Sequence, residues 1–163
     1  MIERIIGALR LDPHTYEEVE ADTSATKQAA LIVVMVAIAS GIGGLSGGVA
    51  GILIGVVGAL VQWVIWAAIT YIIGTTIFKT PETEANWGQL ARTTGFAQSP
   101  GLLRILGIIP FLGGVIVFIA LAWQLVAMVV AVRHALDYTS TLRAVGVVLV
   151  GGVIIVVLNL IIL

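Results

Sequence analysis

The chain has 163 residues, of which 60% are apolar and only 10% are charged. This composition lies outside the range of soluble globular proteins and indicates an integral membrane protein. Eight basic and nine acidic residues nearly cancel, which argues against nucleic-acid binding, and the absence of cysteine excludes disulfides and thiolate metal sites.

The first 28 residues predict a cytosolic N-terminal arm with two short helices. In MIERIIGALR the apolar residues recur at helical spacing, which predicts an amphipathic helix that lies in the membrane interface or packs on the protein's own loops. Asp12 as N-cap and Pro13 at the first helical position predict a second helix, acidic and solvated. The apolar runs begin only near Ala29, so we expect no cleaved signal peptide.

Residues 29–163 predict an all-α transmembrane domain. Four stretches are long and apolar enough to cross a ~30 Å hydrocarbon layer as helices. They cover residues 29–45, 49–78, 111–132 and 142–163.

A fifth stretch, GFAQSPGLLRILGIIPFLGG, is ambiguous because it contains two prolines and one arginine. Pro100 predicts a break or kink, and the ten residues from Pro100 to Ile109 are too short to span alone. Residues 93–109 therefore either cross the membrane or re-enter it. If they cross, seven basic residues lie on one side and none on the other, whereas re-entry weakens the bias to five against two. We therefore predict five spans, the third broken at Pro100, with the N-terminus cytoplasmic and the C-terminus outside.

Arg104 lies inside this third span. At helical rise we expect it roughly 8 Å from the outer end. It is then an anchor that reaches the outer headgroups, a contact for a lipid phosphate beside a cavity at the Pro100 break, or a paired charge in a larger complex.

Small and polar residues mark two further features of the spans. A strip with a period of four predicts close helix packing, inside the bundle or at a subunit interface. It consists of Gly47, Gly51, Gly55 and Ala59. Gln62, Gln124 and Asn159 are the intramembrane polar residues, for which interhelical hydrogen bonding is the ordinary role.

The sequence offers little chemistry. Neither His14 nor His134 has a second histidine at metal-binding spacing, and no serine lies in a nucleophile motif. We therefore expect no catalytic residue, no metal site, no cofactor and no enzyme activity.

The second half of the chain resembles a known family. GFAQSPGLLRILGIIPFLGG, the span containing AWQLVAMVVAVRHAL and the loop DYTSTLRA are similar to the bacterial branch of the Yip family of Ypt/Rab-interacting membrane proteins, and LRLDPHTYEEVE is similar to the lead-in of bacterial members. The residues that align with the family pattern are Gly95, Phe96, Pro100, Pro110, Gly113, Trp123, Arg133, His134, Arg143 and Ala144.

The resemblance implies a five-span fold with a cytosolic N-terminus, here in a bacterial inner membrane. Eukaryotic members bind prenylated small GTPases through a longer N-terminal domain and a D-L-Y-G-P motif. Both are lacking here, so GTPase binding does not carry over.

Our functional hypothesis is a non-catalytic protein that organises or binds other membrane components, either alone or as an accessory subunit of a larger complex. Its expected partners are membrane lipids and other membrane proteins or a second copy of itself. Arg133, His134 and Arg143 are candidate contacts on the cytosolic face, beside Arg104 in the membrane. The alternative is a conduit for lipids or small solutes, with a polar crevice lined by Arg104, Gln124 and Gln62.

Overall fold

The computed structural model describes residues 1–44 and 47–162, and these residues form helices and no strand. The predicted all-α class is confirmed. Seven α-helices and one 3₁₀ helix follow one another along the described chain. They are α1 (Ile2–Leu9), α2 (Pro13–Ala21), α3 (Ala25–Gly43), α4 (Gly48–Thr76), α5 (Trp87–Phe96), the 3₁₀ helix (Ser99–Ile108), α6 (Gly113–Ala135) and α7 (Thr141–Ile162).

Four of these helices, α3, α4, α6 and α7, are long and apolar enough to cross a membrane, with mean hydropathies from 1.8 to 2.9. They match the four predicted spans, although α3 begins four residues earlier and α6 extends three residues further than expected. The predicted ends of the first span at Leu45 and of the last span at Leu163 lie outside the described residues.

The ambiguous stretch forms two short helices instead of one long helix. The α-helix α5 ends at Phe96, and the 3₁₀ helix begins at Ser99, so the break lies at Ala97 and Gln98, just before Pro100. The hydroxyl of Ser99 donates a hydrogen bond of 2.6 Å back to the carbonyl of Phe96 and does not cap the second helix. Each helix has ten residues, so neither spans a bilayer alone.

Together these two helices follow α3 from one end to the other. A Cβ added at Gly95 would lie 2.6 Å from the Cβ of Ala29, near the beginning of α3. A Cβ at Gly101 would lie 2.6 Å from Val36, and a Cβ at Gly43 would collide with the carbonyl oxygen of Arg104. The segment therefore runs parallel to α3, and glycine is required where the two backbones approach each other.

The N-terminal arm is folded against one end of the bundle. The side chain of Asp12 accepts a hydrogen bond of 3.2 Å from the backbone N–H of His14, which confirms the predicted cap of α2. Tyr16 and Val19 of α2 are fully buried in the core, so α2 is not the solvated helix that we expected; Glu17 and Glu18 remain exposed on its other side.

Two ends of the bundle can now be distinguished. The arm end consists of α1, α2, the loops 77–86 and 136–140 and the adjoining helix termini. The far end consists of the C-terminus of α3 and the turn 109–112. All charged residues except Arg104 belong to elements of the arm end.

Candidate functional site

Arg104, the one charged residue outside the arm end, lies between α3 and α6. Its Nη1 donates to the hydroxyl of Ser40 at 3.4 Å, and its Nη2 donates to the side-chain oxygen of Gln124. Its Nε is buried, and no hydrogen-bond acceptor in the described part of the chain reaches it. The guanidinium thus has two neutral partners and donor capacity left over.

The guanidinium points into the bundle. Ser40 is three residues from the end of α3, whereas Gln124 is eleven residues from either end of α6. At 1.5 Å per residue Gln124 is ~16 Å from the far end, about half the length of its helix. The side chain therefore extends from the far end towards the middle of the bundle, and its role as an anchor at the outer headgroups stays a prediction.

Three cavities meet at Arg104. The first, of about 340 Å³, lies between α3, α4 and Gln98. The second, of about 350 Å³, lies at the far end beside Gly43, Gly107 and Gly113, and the third, of about 280 Å³, lies between α6 and α7 beside Gln124. No aspartate or glutamate is among the residues that line these three cavities.

The strip of small residues on α4 forms a wall of the first cavity. Gly51, Gly55 and Ala59 line it, and a Cβ at Gly55 would meet no atom within 4 Å. Gly47 has a φ of 73°, a conformation that favours glycine at the start of α4 whatever packs there. Among the helices that the structure describes, none packs closely against the strip at Gly55, because a cavity lies there. Close packing of a helix from another molecule at Gly55 remains a prediction.

The other intramembrane polar residues separate into different environments. Gln124 joins Arg104 as predicted for the crevice, but Gln62 is not among the residues that line the three cavities around Arg104. Asn159 donates to the carbonyl of Ile155 at 2.8 Å within its own helix. Ser40 and Gln98 take the place expected for Gln62, and the sequence reasoning missed both.

A second arginine, Arg92 of α5, holds the arm to the bundle. Its Nε donates to the carbonyls of Val19 at 3.0 Å and of Glu20 at 3.1 Å, and its Nη2 also donates to the carbonyl of Glu20. These carbonyls lie in the last turn of α2, where a helix has no internal donors left and where its dipole favours a cation. Sequence reasoning had used Arg92 only as a topology signal.

Beside this contact Glu20 is unusually difficult to ionise. Its carboxylate accepts a hydrogen bond of 2.8 Å from the side-chain amide of Gln89. Burial, with the nearby charges of Asp137 and Glu17, raises the pKa of Glu20 to about 7 in spite of the opposing charge of Arg92. The carboxyl is therefore partly protonated near neutral pH.

Arg133, His134 and Arg143, the predicted partner contacts, tie elements of the arm end together. Arg133 donates to the carbonyl of Tyr138 at 3.2 Å and to the hydroxyl of Thr141 at 3.0 Å, which closes the loop between α6 and α7.

The other two residues connect different elements. The ring of His134 stacks on Tyr16 with centroids 6.4 Å apart, and its Nδ1 lies 3.5 Å from Oε1 of Glu17. Arg143 donates to the carbonyl of Phe78 at 3.4 Å. A contact of these side chains with another protein remains a prediction.

Within residues 1–44 and 47–162 no three His, Asp or Glu side chains are grouped so that they could hold a metal ion. The arrangement around Arg104 has one chemical capacity, which is to bind an anion beside a polar amide and a hydroxyl.

The comparisons with known proteins identify the family. The model of the Yip1 domain matches residues 6–161, nearly the whole chain. No curated protein and no solved structure gives a significant match. With its long apolar helices, the chain therefore belongs to the Yip family and is a multi-pass integral membrane protein.

Proposed function

We propose that this protein is a non-catalytic organiser of the bacterial inner membrane, which binds other membrane proteins or a second copy of itself, either alone or as an accessory subunit of a larger complex. The observation that carries this proposal is the polarity of the bundle: the charged residues gather at the arm end, and the helix walls are apolar. A partner with polar surface meets complementary groups only at the arm end.

The proposed topology has five spans, with the arm end cytoplasmic and the C-terminus outside. Two features support it. First, α5 and the 3₁₀ helix together follow α3 along its length. Second, the basic residues other than Arg104 belong to the arm end, and the positive-inside rule places such residues on the cytoplasmic side.

Single cysteines test this topology cleanly because the chain has none of its own. Thr139→Cys in the loop after α6 and Leu112→Cys at the far end are both at exposed positions. We expect a membrane-impermeant maleimide to label Leu112→Cys in intact spheroplasts and Thr139→Cys only after lysis. Labelling of Thr139→Cys in intact spheroplasts refutes five spans.

The partner surface is tested by charge reversal in the loop 77–86. Lys79, Glu82 and Glu84 are all exposed there. The arm end has more acidic than basic residues, so we propose a partner segment that is basic. Purification from native membranes should yield a stoichiometric partner that is lost in the Glu82→Lys/Glu84→Lys variant and retained in the matched Lys79→Glu variant. Purification without any partner or self-association refutes the organiser function.

We propose partners other than small GTPases. The apolar side of α2 is occupied by the protein's own bundle, where Tyr16 and Val19 are buried, so this side is not available to a GTPase.

A second candidate function, a conduit for lipids or small solutes, is favoured by the three cavities that meet at Arg104. It predicts that vesicles containing the protein move lipid or solute faster than empty vesicles, and that Arg104→Gln slows this movement. Vesicles with the wild-type protein that behave like empty ones reject the conduit.

A further inference from the structure

We propose that Arg104, with Gln98 and Ser40, forms a binding site for the phosphate group of a membrane phospholipid in the leaflet at the far end. The proposal shares its cavity with the conduit but requires only binding. A lipid that binds and does not move would reject the conduit and leave this site intact. The site also does not depend on any protein partner at the arm end.

The first argument is the charge of Arg104. A guanidinium stays protonated in proteins, and a charge withdrawn from water, even one that is half-buried like that of Arg104, is unfavourable without a counter-charge. Its partners, Ser40 and Gln124, are neutral, and no acidic residue lines the adjoining cavities. An anion that enters a cavity would supply the missing charge.

The second argument is the number of free donors. A guanidinium has five N–H groups, and the described contacts use two of them. The buried Nε has no partner in the described part of the chain, and Arg104 borders all three cavities. Planar pairs of N–H groups match the oxygens of phosphate, so phosphate fits the donors left over.

The third argument is the lining of the cavity between α3 and α4. Its polar groups, Gln98 and Ser40, lie on the same cavity as the guanidinium, and the amide of Gln98 can donate to a phosphate oxygen. The remaining wall is small or apolar. It consists of Val33, Val36, Ala37, Gly41, Gly51, Ile52, Gly55 and Ala59. A volume of about 340 Å³ is large enough for a phosphodiester and the adjoining glycerol.

The position of the cavity favours a lipid over a free anion. Leu53, Ile54 and Val57 of α4, which are exposed beside the cavity wall, belong to a surface that faces hydrocarbon in a membrane. A phospholipid of the far leaflet reaches the cavity sideways between the helices. Inorganic phosphate has the same binding chemistry, so the experiment must separate the two sources.

The test measures the phospholipid that stays with the purified protein after extensive detergent washing, by native mass spectrometry and phosphorus analysis. We expect about one phospholipid per wild-type chain, at least tenfold less in Arg104→Gln and an intermediate amount in Arg104→Lys. The control Lys79→Gln, which removes an exposed cation at the arm end, should retain the wild-type amount. Equal retention in wild type and Arg104→Gln overturns the site.

A second variant guards against misfolding of Arg104→Gln. A Cβ at Gly55 meets no neighbouring atom, so Gly55→Phe fills the cavity from its wall and leaves the hydrogen bonds of Arg104 in place. It should lose the phospholipid while its elution profile stays that of the wild type. Full retention in a monodisperse Gly55→Phe protein also overturns the site.

Thermal unfolding separates the two sources of phosphate. Phosphatidylglycerol added to delipidated protein in neutral detergent should raise the Tm of the wild type and leave that of Arg104→Gln unchanged, whereas millimolar inorganic phosphate should have no effect on either. A Tm increase of the wild type by inorganic phosphate equal to that by lipid overturns the assignment to a phospholipid.

Discussion

Replacing Arg92 by methionine should release the arm from the bundle. The side chain is 6% exposed and donates to two carbonyls in the last turn of α2. Methionine keeps much of the apolar stem but removes every donor. Hydrogen bonds from a charged group contribute ~1.5–3 kcal/mol each, and an unpaired buried carbonyl is itself unfavourable. Water that reaches the freed carbonyls recovers part of this loss, so we expect docking of the arm to weaken by about 3 kcal/mol.

Hydrogen exchange of the protein in nanodiscs measures this opening directly. A change of about 3 kcal/mol raises an opening equilibrium about a hundredfold, and the protection of the amides of residues 17–21 should fall by that factor. Protection within α6 should not change, because its helix bonds do not involve the arm. The control is Arg143→Met, which removes one exposed hydrogen bond at the same end of the bundle.

The reasoning is refuted if protection of residues 17–21 in Arg92→Met stays within about threefold of the wild type. A parallel loss of protection in α6 would show that Arg92 stabilises the whole bundle and not the docked arm.

Three further predictions concern pH and packing. The docked arm raises the pKa of Glu20 from 4.5 to about 7, so Glu20 holds its proton more tightly in the docked arm than in the free arm. Docking should therefore weaken as the pH rises from about 4.5 to 7, and proteolysis of the arm should become faster. Glu20→Gln should remove this acceleration, and a wild type whose proteolysis does not change with pH would contradict the prediction. Gly95→Ala should destabilise the bundle by ~1–3 kcal/mol in detergent unfolding, because the added Cβ would collide with α3. Gly55→Ala should change the stability by less than ~0.5 kcal/mol, because its Cβ meets no atom. Equal effects of the two variants would show that the close approach of Gly95 to α3 does not matter for stability. Tyr138→Phe removes the hydrogen bond of 2.9 Å to the carbonyl of Gly74 and should lower stability by about 1 kcal/mol in the same assay, and an unchanged midpoint would place that hydroxyl in contact with water.

The sequence predicted the features that depend on neighbouring residues. Hydropathy located the four long helices, and Asp12 with Pro13 located the beginning of α2 because caps are local signals. It failed where distant segments meet. Arg92 holds carbonyls some seventy positions away, and no periodicity indicates such a contact. The sequence also did not predict the direction of the Arg104 side chain, because that direction depends on contacts with Ser40 and Gln124 on other helices.

The 3₁₀ helix could have been recognised from a pattern of three. Gly101, Arg104 and Gly107 are spaced by three, and in a helix with three residues per turn they lie in one column. In the structure all three contact α3. The depth expected for Arg104 assumed α-helical rise, and a 3₁₀ run of ten residues is unusual, since runs of more than three or four residues are uncommon.

This column makes the length of the 3₁₀ helix critical. With three residues per turn, one inserted or deleted residue between Gly101 and Arg104 rotates every later side chain by about a third of a turn. The arginine would then face away from Ser40, and a side chain with a Cβ would face the backbone of α3 where Gly107 now allows close approach. Substitutions on the outer side of this helix should therefore be tolerated far better than any change in its number of residues.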